Sequence, residues 1–180
     1  DHVAEGSKTL DEEQSLPEHP IFFTKAPTTI NGPYDDIVYP RVTERLDYEV
    51  ELALVIGKEG KYIGEEDAYD HIAGYSTFND VSARDLQTRH SQWYKGKSID
   101  GFAPMGPYLV TPDELGDPMD LDVSLSVTGV VRQKSNTSYL IFDIPTIIST
   151  LSAGITLEVG DLIATWPPSG CGSANEPGLL

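Results

Sequence analysis

The sequence predicts a β-rich α+β domain, with an all-β domain as the nearest alternative. Three observations support this. Short apolar runs show period-two alternation, glycine and proline clusters punctuate them at close intervals, and few segments bear helix signals. A length of 180 residues suits one domain, and 16 glycines with 13 prolines suit a turn-rich β protein. No internal repeat and no convincing boundary divides the chain, so residues 1–180 read as one domain.

The elements follow in order. Residues 1–20 are polar and acidic, and Asp11-Glu12-Glu13 before Ser15-Leu16-Pro17 reads as a short helical piece followed by a loop. Ile21 to Lys25 is a β-prone run stopped by Pro27. Residues 28–45 hold turn signals, among them Asn31-Gly32-Pro33 and Pro40. Residues 46–56 alternate most clearly: Leu46, Tyr48, Val50, Leu52, Leu54 and Ile56 share one strand face, and Asp47, Glu49, Glu51, Ala53 and Val55 the other. Gly57 and Gly60 end that strand. Glu65 to Tyr69 reads as a short helix with acidic residues in its first turn. Ile72 to Phe78 is a second strand, and a polar segment runs from Asn79 through Lys97. Leu109-Val110-Thr111 closes a strand before Pro112. Leu121 to Val127 and Val130 to Gln133 form a hairpin around Thr128-Gly129. Ile144 to Ser152 is a short helix with Pro145 in its first turn and Gly154 beyond its end. Ile155 to Thr165 returns as strand around Val159-Gly160-Asp161.

Charge narrows the function classes. Twelve basic against 29 acidic residues give a formal charge of −17, which repels phosphate backbones and anionic lipid. Nucleic-acid binding is therefore not expected. The longest aliphatic run, Leu52 to Ile56, is far short of the ~20 residues a membrane-spanning helix needs. Cys171, the one cysteine, forms no internal disulfide, and the chain opens without a signal-peptide pattern, so a cytoplasmic protein is expected.

Glu49 and Glu51, two apart on a strand, point the same way, roughly 6.6 Å apart. Both carboxylates then reach one ion, and oxygen-only donors favour Mg²⁺, Mn²⁺ or Ca²⁺ over zinc. The competing reading is a solvated acidic face. Asp80, at the end of the second strand, supplies a third carboxylate or else caps a turn. His2 and Glu5, spaced i, i+3, share one helix face, either as a general base with its orienting carboxylate or as an exposed surface pair. Lys97 offsets carboxylates or stabilises an oxyanion, or else snorkels at the surface. His19, His71 and His90 have no partner at metal-ligand spacing and read as structural or surface residues. No P-loop, no Gly-x-Gly-x-x-Gly and no serine-hydrolase elbow occurs.

Taken together, the chain resembles the C-terminal catalytic domain of the fumarylacetoacetate hydrolase family. The resemblance rests on Asp1-His2-Val3-Ala4-Glu5, Pro20-Ile21-Phe22-Phe23-Thr24-Lys25, Leu46-Asp47-Tyr48-Glu49-Val50-Glu51-Leu52 and Asn79-Asp80-Val81-Ser82-Ala83-Arg84-Asp85-Leu86-Gln87. It continues through Lys97-Ser98-Ile99-Asp100, Gly106-Pro107 and Thr156 to Thr165. It implies a mixed β-sandwich roll with a few short helices, commonly a homodimer, built around Mg²⁺ or Mn²⁺. The family's metal ligands fall on Glu49, Glu51 and Asp80, its lid pair on His2 and Glu5, and its lysine on Lys97. Gln87 and Lys25 match substrate-lining positions, and Arg84 matches a substrate-binding or loop-bracing one. Where the family reads Thr-Gly-Thr-Pro-x-Gly-Val-Gly, this chain reads Thr165-Trp166-Pro167-Pro168-Ser169-Gly170-Cys171-Gly172. Trp166 adopts positive φ less readily than glycine, and Pro167 offers neither hydroxyl nor N–H, so Ser169 is the remaining donor and an altered substrate preference is expected. The resemblance also implies a domain that starts at its lid segment, residues 1–20, and stops before the family's last strands.

The implied activity is metal-dependent hydrolysis of a C–C bond in a 2,4-dioxo acid of the acylpyruvate or fumarylpyruvate type, releasing a pyruvate enolate. His2 would activate water and Lys97 would support the oxyanion. The alternatives are an isomerase or decarboxylase of hydroxymuconate- or oxaloacetate-type diacids, and a metal-binding relative without turnover.

Overall fold

The computed structural model describes residues 17–174 and 180. The elements are β1 (Ile30–Asn31), β2 (Leu46–Asp47), β3 (Val50–Ile56), β4 (Ile72–Asn79), β5 (Ser82–Ala83), α1 (Arg84–Arg89), α2 (Tyr94–Lys97), β6 (Ala103–Pro104), α3 (Pro112–Leu115), β7 (Asp122–Val127), β8 (Val130–Asn136), α4 (Ile144–Ser152) and β9 (Leu162–Ala164). One sheet has the order β4-β3-β9, antiparallel throughout. β7 and β8 form a hairpin, β2 pairs antiparallel with β5, and β1 pairs parallel with β6. This is the β-rich α+β architecture expected, with few helices.

The two faces of β3 explain the sheet's place. Its even-numbered residues Leu52, Leu54 and Ile56 pack with Tyr75, Ile163 and the α4 residues Ile144, Ile147 and Ile148 in the main core. On the other face Ala53 packs with Phe78 and Ala103. Because that second face is covered too, Glu49 and Glu51 are only 2% and 4% exposed. The solvated acidic face that alternation alone allowed is absent.

Several boundaries differ from the sequence reading. The strand expected over 46–56 breaks at Tyr48 and Glu49, because their N–H groups donate to the side chains of Asp47 (2.8 Å) and Asn79 (3.0 Å) instead of to a ladder. The segment 21–25 is irregular; Ile21 and Phe22 are exposed, and no strand among the described residues pairs with it. At Leu109 to Thr111 there is a single bridge between Tyr75 and Val110. The strand expected over 155–165 shrinks to β9, since Gly160 (φ +96°) turns the chain at Glu158–Asp161. The hairpin's second arm runs on to Asn136, and residues 65–71 are a 3₁₀ helix. α4 has the predicted bounds.

Candidate active site

Register builds the site. Val50 pairs with Asn79 across β3 and β4, so the residues just outside that pair, Glu49 and Asp80, meet, and the Asp80 N–H donates to the Glu49 carbonyl at 2.8 Å. Glu51, two residues along, points to the same face. Ligand oxygens of Glu49, Glu51 and Asp80 all lie within 4.8 Å of one another, and all three residues are buried.

Lysines reach this centre from two directions. Lys97 ends α2, and Gly96 before it makes that approach possible: a Cβ there would sit 2.6 Å from the Gln87 nitrogen and 2.8 Å from the Ala83 carbonyl. Lys97 Nζ consequently lies 2.5 Å from Glu49 Oε2 and 2.6 Å from Asp80 Oδ2. Burial pulls the Lys97 ammonium downward, but the Glu49 and Asp80 carboxylates outweigh it and raise its pKa. Lys25 Nζ lies 2.5 Å from Asp80 Oδ1 and donates to the Val81 carbonyl. Here burial prevails over the attraction of Asp80, and the pKa falls.

Arg84 holds the outer side of Glu49. Its Nη2 is 2.5 Å from Glu49 Oε1, its Nε is 2.7 Å from Asp47 Oδ2, and its Nη1 donates to Gln87 Oε1 at 3.0 Å. Burial again opposes the charge, yet Glu49 and Asp47 together raise its pKa. Asp47 also accepts the N–H groups of Gly172 (2.6 Å) and Ser173 (3.0 Å), tying the loop after β9 to the centre. Cys171 packs in that loop, its Sγ 3.7 Å from Glu49 Oε1, and burial next to Glu49 raises its thiol pKa.

Glu51 is the exception. Its carboxylate accepts the Trp166 N–H at 3.0 Å and, among the described residues, forms no ion pair. Burial, then the Asp80 and Glu49 carboxylates, push its pKa well above the usual range. Three buried oxygen donors, one of them not neutralised, fit a hard divalent cation such as Mg²⁺ or Mn²⁺. Trp166 occupies φ +92°, a conformation rare for a bulky residue. Its ring lies 6.0 Å from that of Trp93 and 6.4 Å from that of Phe23, which lies 5.1 Å from Lys97 Nζ. A cavity of about 330 Å³ opens beside Glu51 and Trp166.

The structure thus gathers Glu49, Glu51, Asp80, Lys97, Lys25 and Arg84, with Gln87 one step out on Arg84. His2 and Glu5 lie outside the described residues. Sequence reasoning missed Asp47, Gln133 and the aromatic cluster. Gln133 accepts the Val50 N–H at 2.9 Å and donates to the Pro168 carbonyl at 3.1 Å, joining sheet, hairpin and loop.

The family described as Fumarylacetoacetate (FAA) hydrolase C-terminal matches the chain over residues 1–180. The chain belongs to the fumarylacetoacetate hydrolase family. Against relatives of this family, it is 50% identical over 179 residues to the oxaloacetate tautomerase YisK of Bacillus subtilis, covering 98% of this chain and 58% of that protein. The solved fumarylacetoacetate hydrolase of Exiguobacterium antarcticum superposes with a TM-score of 0.85 at 47% identity, over 88% of this chain and 57% of that one. The 5-carboxymethyl-2-hydroxymuconate delta-isomerase of Mycobacterium smegmatis gives 0.83 at 40% identity, over 89% and 62%. The chain therefore spans about three fifths of these relatives' lengths. No helix among its described residues is long and apolar enough to cross a membrane.

Proposed function

We propose that this chain forms the active site of a metal-dependent enzyme that binds a 2-oxo acid and stabilises its enolate. The observation that carries this reading is the buried Glu49, Glu51 and Asp80 triad with the Lys97 and Lys25 ammonium groups against it. A divalent ion held by the triad would supply Lewis-acid polarisation of the substrate's oxygens. Lys97, kept charged by its carboxylate neighbours, donates to negative charge that grows on a substrate oxygen. Lys25 adds a second positive charge on Asp80, and Arg84 anchors Glu49 Oε1 so that Oε2 faces Lys97.

Proton movement, as tautomerisation or isomerisation, is the outcome supported by the names of the tautomerase and isomerase relatives. C–C hydrolysis of a 2,4-dioxo acid shares the enolate and adds one step. A water deprotonated by His2, oriented by Glu5, bonds to the distal carbonyl carbon. The C–C bond breaks, and its electron pair becomes the pyruvate enolate, which then takes a proton. The working unit is proposed to be a homodimer in the cytoplasm, and exposed Tyr34, Val38, Val42 and Tyr108 offer apolar surface for such a contact.

The test is Mn²⁺ titration calorimetry on wild type and Glu51→Gln, paired with assays of oxaloacetate enol decay and of acylpyruvate cleavage. The variant should bind Mn²⁺ roughly a hundredfold more weakly. Equal binding by both proteins would remove the metal centre. Enol decay without pyruvate release from acylpyruvates selects proton movement; pyruvate release selects hydrolysis.

A further inference from the structure

The cavity beside Glu51 has a chemistry of its own. Its volume of about 330 Å³ is metabolite-sized, at the small end of ligand pockets, which run to about 300–1,000 Å³. Ile21, Phe22, Leu140, Phe142 and Trp166 are among the residues of its wall, and among the described residues Glu51 is the one acidic or basic residue that lines it. Two of the uncharged polar residues that line it are occupied within the chain. Asn136 bonds Asp120, Asp122 and the Ser138 N–H, and Thr137 Oγ1 bonds the Pro118 carbonyl and the Leu121 N–H.

Glu51 and Trp166 join this cavity to the charged centre. Both line it, and they are bonded to each other through the Trp166 N–H. The Trp166 ring belongs to the aromatic cluster that continues through Phe23 to Lys97. A 2-oxo acid whose head sits at the lysines and carboxylates would therefore direct its tail along Trp166. A terminal carboxylate on that tail would lose its hydration and meet, among the described lining residues, no cation to replace it. An alkyl or aryl tail meets apolar wall.

We propose that this cavity receives the uncharged, apolar tail of the substrate, so that the chain selects monocarboxylic 2-oxo or 2,4-dioxo acids over dicarboxylic ones. The inference rests on the 2-oxo acid reading and narrows its substrate class.

The experiment measures binding rather than turnover. The full chain with Mn²⁺ is titrated with oxalate, pyruvate, 2-oxobutanoate, 2-oxohexanoate and 2-oxoadipate. Calorimetry is one readout and intrinsic fluorescence the other, since Trp93 and Trp166 are the chain's two tryptophans and both belong to the aromatic cluster. Affinity should rise about fourfold per added methylene until the cavity fills. 2-Oxoadipate, which differs from 2-oxohexanoate by ending in a carboxylate, should bind at least about tenfold more weakly. Phe22 is 42% exposed, so Phe22→Lys should fold while placing an ammonium in the lining, with Ser135→Lys on β8 as a second variant. Each should shift the ratio at least about tenfold toward 2-oxoadipate. Oxalate binding with no dependence on tail length, equal affinity for the two six-carbon acids, or an unmoved ratio in both lysine variants overturns the tail assignment and leaves the 2-oxo acid reading standing. Failure of oxalate and every 2-oxo acid to bind with Mn²⁺ present overturns that reading, and the tail assignment with it.

Discussion

At Asp47 a fully buried carboxylate accepts the N–H groups of Tyr48, Gly172 and Ser173 and pairs with Arg84 Nε. Arg84 in turn grips Glu49, so Asp47 positions a proposed metal ligand without touching the centre itself. Asp47→Asn keeps the shape but replaces one accepting oxygen with a donor and removes the charge that balances Arg84. Loss of one partner from a buried pair costs about 3–5 kcal/mol, and disturbed support of a ligand weakens metal binding about tenfold or more. Urea unfolding and Mn²⁺ calorimetry on the variant check both, and unchanged Mn²⁺ affinity would leave Asp47 a purely structural role. Glu49, Glu51 and Asp80 were legible in the sequence because two-residue spacing on a strand and a strand-end aspartate are local facts. Asp47 stood on the same predicted face but showed no sign of its role, because its partners Arg84 and Gly172 are brought to it by folding. Trp166 was legible only as a misfit; the rings that pack against it come from distant stretches of chain.

Among the elements, α4 was the most legible. Pro145 in the first turn, apolar residues on one face and Gly154 beyond the end are all local signals, and the structure adds the Asp143 side chain accepting the Thr146 N–H at 2.9 Å. Asp143→Ala should therefore cost about 1 kcal/mol and lower the melting temperature by about 2–4 °C, measured by thermal unfolding. A loss below about 0.3 kcal/mol would show that the cap adds nothing beyond the packing of Ile144, Ile147 and Ile148. β4 and the β7–β8 hairpin were also legible, from alternation and from the Thr128-Gly129 turn. The two-residue strands were not. β1 and β6, or β2 and β5, are strands only because a partner lies alongside, and two residues hold no periodicity to read. The run 21–25 misled for the opposite reason: its β-propensity is real, but Lys25 is drawn to Asp80 and Phe23 to the tryptophans, so the segment follows its side chains instead of a ladder.

For the whole molecule, a charge of −17 and a buried carboxylate cluster predict that divalent cations stabilise the fold. At a hundredfold excess over its dissociation constant, Mg²⁺ or Mn²⁺ should add about 2.7 kcal/mol, a rise of about 5–10 °C in melting temperature for a chain of this size. Scanning fluorimetry with and without millimolar metal tests this, and Glu51→Gln should cut the rise to about 1 °C. A wild-type protein indifferent to both ions would argue against the centre. The sequence by itself determined the β-rich class and marked the three carboxylates and Lys97 as candidates, since alternation, turn residues, strand-end chemistry and the scarcity of cations are read along the chain. Only the tertiary structure decided that the acidic face of β3 is buried rather than wet, that of the three clustered carboxylates Glu51 alone lacks an ion-pair partner among the described residues, and that an apolar cavity adjoins it. Those are properties of burial and of contacts across the fold, and the free energy of a buried charge depends on what folding packs around it.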